Sequence, residues 1–135
     1  TPSQVSERVI DRAAGEDARR LMEKVRRLVR SREDKGFGPR RIIAELSEQG
    51  VDQAVIAACV EVSDDHWFGI ARTYVVKRYG RALAEVSDDP GRRQRQRIRD
   101  RIARNLNRRG FGSETVARTV ESVLAALREE RSDLD

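Results

Sequence analysis

Nine arginines crowd the stretch from Pro90 to Arg109 (Arg92, Arg93, Arg95, Arg97, Arg99, Arg101, Arg104, Arg108 and Arg109) against the single acid Asp100, a local net charge of +8. At 100° per residue, Arg93, Arg97, Arg101, Arg104 and Arg108 line one side of a helix whose other side is Ile98, Ile102 and Leu106. A guanidinium ridge of this kind suits anions, whether the phosphates of a polyanion or the carboxylates of an acidic protein surface. A second basic block runs from Arg19 to Arg41 and carries +7, with Arg20, Lys24 and Arg27 opposite Leu21, Val25 and Leu28, and Arg41 at its end. The whole chain is only +5, so the remainder carries −10. A mixed-charge face would need no explanation beyond solubility, but these faces are not mixed. Like charges three and four residues apart repel by a few tenths of a kcal/mol per pair, a cost that an anionic partner offsets.

Other residues that could do chemistry lack company. His66 is the only histidine and stands beside Asp65 at a helix start, whereas a general base or a metal site needs converging partners. The triplet Gly36-Phe37-Gly38 is too short for a phosphate loop and lacks the Lys-Ser or Lys-Thr that follows one, so it reads as a turn. Glu45 with Glu48, and Glu129 with Glu130, lie on polar helix surfaces rather than in an apolar pocket that would raise a pKa. Cys59 cannot form an intramolecular disulfide; it reads as a buried structural thiol in a reducing compartment. Trp67 reads as packing within or between repeats rather than as a base-stacking platform. We therefore expect no catalytic residue, no metal site and no cofactor.

The elements that must position the arginines come from a repeat. ELSEQGVDQAVIAACV, Glu45 to Val60, returns sixty residues later as NLNRRGFGSETVARTV, Asn105 to Val120. In register, Leu46 matches Leu106, Gly50 matches Gly110, Val51 matches Phe111 and Val60 matches Val120; the charged positions do not repeat. Each copy reads as a helix closed by glycine, then an apolar residue folding back on the last turn. At the ridge positions the first copy has Phe37, Arg41, Ala44 and Glu48, so the repeat itself does not require a ridge.

Taken in order, the chain predicts a short helix near Val9 and Ile10, capped by Ser6 and broken near Gly15, then a first helix over Asp17 to Arg32. A second starts at Gly38-Pro39 and buries Ile42, Ile43 and Leu46; a third is capped by Asp52 and buries Val55, Ile56, Cys59 and Val60. A fourth, capped by Ser63 or Asp64, buries Trp67, Ile70, Ala71, Tyr74 and Val75. RALAEVSDDPGR, Arg81 to Arg92, reads as a loop, with Asp89 and Pro90 restarting a fifth helix that runs to Arg109. Ser113 caps the sixth, which buries Val116, Val120, Val123, Leu124 and Leu127 before an acidic end frays. Helix-favouring composition without an alternating β-branched run makes the fold all-α: tandem three-helix repeats, helix-turn-helix-like, stacked into an elongated, curved chain. Their bounds are residues 16–62 and 63–131, with a segment at 1–15 and an acidic tail at 132–135. No apolar run reaches a membrane span and no signal peptide opens the chain, so a cytoplasmic protein is expected. It begins at Thr1 without methionine, as a fragment or a trimmed product would.

Three ordered motifs resemble the RecX proteins, bacterial regulators of the RecA recombinase. KGFGPRRIIAELSEQGV, Lys35 to Val51, looks like that family's G-hydrophobic-G-P signature, and WFGIARTYVVKRYG, Trp67 to Gly80, carries Trp67, Ala71, Arg72, Lys77, Arg78, Tyr79 and Gly80 at its spacing. NRRGFGSETVARTV, Asn107 to Val120, is similar to its R-G-F/Y turn and closing helix, although Asn105 stands where the pattern has Phe. The resemblance implies a second and third three-helix repeat, with Val5 to Ala14 the remnant of a first. It further implies a non-enzymatic regulator lodged in the groove of the RecA filament on DNA; a monomer is expected. There it would bridge subunits and hinder filament growth, ATP hydrolysis and strand exchange in recombination, repair and the SOS response. The family contributes no catalytic residues, and the basic ridges are inferred from periodicity alone. The alternative is a helical module that binds DNA or RNA directly through the arginine ridge.

Overall fold

Glycine closes three of the helices in the same way. In a computed structural model of the chain, the backbone is described for residues 2–88 and 91–134 and the side chains for residues 15–86 and 91–127. Among these residues the chain forms six helices and no strand: α1 (Pro2–Asp34), α2 (Pro39–Glu48), α3 (Gln53–Cys59), α4 (Asp64–Asp88), α5 (Arg92–Arg108) and α6 (Ser113–Leu134). After α1, α2 and α5, Gly36, Gly50 and Gly110 adopt φ of 80°, 81° and 97°, the left-handed region that side chains rarely adopt. The following N–H then bonds back to the last turn: Phe37 to the carbonyl of Arg32, Val51 to that of Leu46, and Phe111 to that of Leu106. Leu46 and Leu106, matched in the repeat, are both fully buried, as their shared helix-closing role requires.

The helices form two tandem three-helix repeats, α1–α3 and α4–α6. In the first, α1 packs on α3 and α2, burying Val25, Val29, Ile42, Leu46, Ile56 and Val60. In the second, α4 lies along α6 and both pack on α5, around Ala71, Val75, Ile102, Leu106, Phe111 and Val120. Trp67 is buried at the start of α4, where its indole N–H donates to the carbonyl of Glu61 at 2.7 Å. Asp52 caps α3 by accepting from the N–H of Ala54, and Ser63 rather than Asp64 stands before α4.

Several boundaries differ from those predicted. The expected break near Gly15 is absent: α1 runs unbroken from Pro2, because one glycine costs a helix only about 1 kcal/mol against alanine. Ser6, the expected cap, lies inside α1 rather than ahead of it, since the helix already begins at Pro2; Asp89 and Pro90 lie outside the described residues. Arg81 to Asp88 is helix rather than loop: Tyr79, Leu83 and Val86 continue the buried face of Trp67, Ala71 and Val75 at spacings of four and three. α5 starts after Gly91, and α6 begins with Ser113 itself, so the residue ahead of it is Gly112, whose carbonyl accepts from Val116. The acidic end is helical to Leu134, and Asp135 lies outside the described residues.

Two apolar residues assigned to the core are exposed. Leu21 is 43% accessible and Ile43 37%. α1 has 33 residues against 10 and 7 in α2 and α3, so its length outruns what the shorter helices cover near Leu21. Ile43 sits one position off the stripe of Ile42 and Leu46, on a helix too short for a second buried face. Cys59 is half-buried rather than buried, with its thiol 3.9 Å from the Met22 carbonyl oxygen. Among the described residues no helix is long and apolar enough to cross a membrane, and no cluster of His, Cys, Asp and Glu could hold a metal ion.

Leu106→Ala should destabilise the protein by about 2 to 5 kcal/mol in urea unfolding, because a fully buried leucine leaves a cavity that the closed helix end cannot collapse into. Leu21→Ala, on the exposed flank of α1, should cost far less.

Candidate partner-binding surface

All nine predicted binding residues project into solvent. Arg20, Lys24 and Arg27 are exposed on α1 and Arg41 on α2, while Arg93, Arg97, Arg101, Arg104 and Arg108 are exposed on α5. On α5 the five lie within an arc of about 80°, opposite buried Ile98, Ile102 and Leu106. No carboxylate of a described residue pairs with any of these five, so the ridge stays an unneutralised field; Arg20 has only a 4.0 Å contact with Asp17.

Other arginines are engaged within the fold. Arg99, on the flank of α5, pairs with Glu121 at 3.2 Å, and Arg118 of α6 with Asp65 at 2.6 Å while lying 4.0 Å over the ring of Phe68. Arg32, in the last turn of α1, makes a two-pronged pair with Glu45 of α2 through bonds of 2.8 and 2.6 Å. Glu45 is thus half-buried and committed to holding α1 on α2, not free on a polar surface as its sequence setting suggested. Its carboxyl is held below the ordinary value of 4.5, first by the hydrogen bonds from Arg32, against an opposing effect of burial, and then by the charges of Arg32, Arg41 and Lys35. His66 is exposed but not alone, because its Nε2 meets the carboxylate of Glu33 on α1.

The two basic blocks meet where the repeats join. The Gly38 N–H donates to the Arg109 carbonyl at 2.8 Å and the Arg40 N–H to the Gly110 carbonyl at 3.0 Å, which sets the end of α5 against the start of α2. Arg109 sits half-buried in this joint. Its Nε–H donates to the Gly36 carbonyl at 2.8 Å and a second guanidinium N–H to the Lys35 carbonyl, while its Cζ stands 4.2 Å from the ring centres of both Phe37 and Tyr74. Asn105 donates to the hydroxyls of Tyr74 and Tyr79 at 2.8 and 2.6 Å. Periodicity could not find these roles: Arg109 and Gly36 are 73 residues apart, and in the sequence Arg109 is one more member of a basic run. The only local sign is its place at the helix end just before Gly110.

The sequence is similar to those of known proteins. Residues 25–60 match RecX, second three-helix domain. The chain is 35% identical over 91 residues to Regulatory protein RecX of Stenotrophomonas maltophilia, covering 67% of this chain and 50% of that one. It is 34% identical over 70 residues to Regulatory protein RecX of Pectobacterium atrosepticum, 52% of this chain and 43% of the other. With the protein of the same name from Escherichia coli it shares 34% over 71 residues, 53% and 43% of the two chains. The chain belongs to the RecX family. It spans about half the length of the curated RecX relatives it matches, and no solved structure matches it. Within this RecX chain, the domain match covers the C-terminal part of α1 from residue 25 with α2 and α3, the repeat that carries Arg41 and the Arg32–Glu45 pair.

The Arg32–Glu45 pair should leave a mark on acid stability. A depressed carboxyl stabilises the fold above its unfolded-state value, and that contribution is lost as pH falls through the folded value. In thermal melts the parent should exceed Glu45→Gln at pH 7, and the gap should close as the pH falls below about 4.5.

Proposed function

We propose that this chain is a non-enzymatic regulator that binds the RecA recombinase filament on DNA and modulates it, chiefly by inhibiting ATP hydrolysis, filament extension and strand exchange. Its setting would be recombination, DNA repair and the SOS response in the cytoplasm, and it would act as a monomer through residues 16–62 and 63–131 as its repeats. The observation that carries the reading is the pairing of family membership with two basic blocks joined at one repeat junction. The relatives are named regulatory proteins, and the five ridge arginines of α5 are exposed with no carboxylate partner among the described residues. A stack of repeats offers an extended surface rather than a pocket, and engaging adjacent subunits raises effective affinity without a deep anchoring residue. Arg20, Lys24, Arg27 and Arg41 would contribute from the first repeat, and Arg93, Arg97, Arg101, Arg104 and Arg108 from the second.

The unpaired ridge also favours a second reading, in which the same arginines track the phosphates of DNA or RNA directly. The two readings separate on whether RecA is affected at protein concentrations where DNA alone is not bound.

Titration of RecA ATPase activity tests the first reading. Reversing Arg97, Arg101 and Arg104 to Glu leaves the buried face of α5 intact, and inhibition should weaken by about tenfold or more. Reversal of Arg72, Lys77 and Arg81, exposed on α4 outside both blocks, should matter less. A folded ridge variant that inhibits like the parent would make the ridge a solvated surface. Under the second reading, log affinity for nucleic acid falls with log salt by about 0.7 to 0.9 per phosphate engaged, so four contacts give a slope near −3.

A further inference from the structure

One chain of contacts runs across the joint between the repeats and ends on exposed arginines at both sides. In the first repeat, exposed Arg41 lies with its Cζ 4.5 Å from the centre of the Phe37 ring. Arg109 of the second repeat takes the same ring at 4.2 Å and the Tyr74 ring at 4.2 Å. The Tyr74 hydroxyl is tied through Asn105 to the Tyr79 hydroxyl, and the Tyr79 ring carries exposed Arg101 of the ridge at 5.7 Å. Arg109 is the link between repeats in this chain. Two of its N–H groups are given to the Lys35 and Gly36 carbonyls, at the end of α1 where helix carbonyls lack intrahelical partners. Half-buried and engaged on both rings, it serves the joint rather than a partner.

We propose that Arg109 is a positioning residue that fixes the angle between the two repeats, so that the basic side chains of both meet one partner surface together. This rests on reading the basic ridges as the partner-binding surface. The chemistry requires arginine. A planar guanidinium stacks between two rings while its edge forks to two adjacent carbonyls, whereas a lysine ammonium offers a point charge on a flexible stem and can do only one of these at a time. Without the fork and the stack, the joint retains the Gly38 and Arg40 backbone bonds, the His66–Glu33 pair and the close approach of the Tyr74 ring to Gly36, none of which is a side-chain tie from α5 to the first repeat. The aliphatic residues buried in each repeat, Val25, Ile42 and Leu46 in the first and Ile102, Leu106 and Val120 in the second, lie outside the chain of contacts, so a conservative change at Arg109 leaves them in place. What is lost is simultaneous engagement, and linked sites whose geometry forbids it forfeit the gain in effective concentration.

Residual dipolar couplings of the free protein, combined with RecA ATPase titration, test this. In the parent, couplings from both repeats should fit one alignment tensor. In Arg109→Lys each repeat should still fit its own structure but with two different tensors, and the concentration for half-inhibition should rise about tenfold or more. Phe37→Leu, which removes the ring shared by Arg41 and Arg109, should split the tensor likewise and serves if the Arg109 variant fails to fold. A single tensor in folded Arg109→Lys would overturn the proposal, whatever happens to RecA. Split tensors with unchanged inhibition would overturn it too, by showing that the angle is not used. If the parent leaves RecA unaffected, the RecA reading falls, and the couplings still decide whether Arg109 sets the angle.

Discussion

The joint between the repeats depends on two backbones coming closer than any side chain would permit. A Cβ on Gly38 would stand 2.5 Å from the carbonyl carbon of Gly110, and one on Gly110 would stand 2.5 Å from the backbone nitrogen of Arg41. With neither present, the carbonyl end of α5 reaches the amide end of α2. The carbonyls of Arg109 and Gly110 accept from the N–H groups of Gly38 and Arg40, and Pro39 between them has no N–H to satisfy. Opposite partial charges at the two helix ends add to the attraction. Both helices would otherwise leave polar groups unpaired at their ends, so each repeat completes the other's hydrogen bonding.

The placement of the arginines follows from that joint. α5 leaves it with Arg108 and Arg104 on its outer side, and α2 enters it with Arg40 and Arg41, so basic segments separated in the sequence end side by side. Proximity to an acid or a ring then sorts the guanidinium groups. Arg32, Arg99 and Arg118 lie within reach of carboxylates and hold helices together; Arg109 lies between rings and carbonyls and holds repeats together. Those of the α5 ridge find neither a carboxylate nor a carbonyl among the described residues, and they carry the exposed positive field. Exposed pairs contribute little stability, so the ridge adds little to folding.

Much of this was legible in the sequence because it depends on local spacing. Leu46 and Leu106 fall four residues before a glycine in both copies, and the same helix closure makes both fully buried. The exposed side of α5 follows from the spacing of four between Ile98, Ile102 and Leu106. Where reading failed, a local signal was overruled by packing. Gly15 suggested a break that one unfavourable residue could not impose, and Arg81 to Asp88 lacked a long apolar run, yet Leu83 and Val86 alone suffice to keep α4 on the core.

Gly50 and Gly110 show the division most clearly. The sequence by itself determined that both close a helix, because a left-handed φ of 81° or 97° is a local property that glycine supplies anywhere. Only the tertiary structure decided that Gly110 is a docking surface while a Cβ on Gly50 would meet nothing within 4 Å. The same holds for Arg32, Arg109 and Asn105, whose partners lie 13, 73 and 31 residues away. Helical periodicity reports which residues share a face over a few turns. It carries no information about which distant backbone, ring or carboxylate that face will meet, since that is set by how the helices dock.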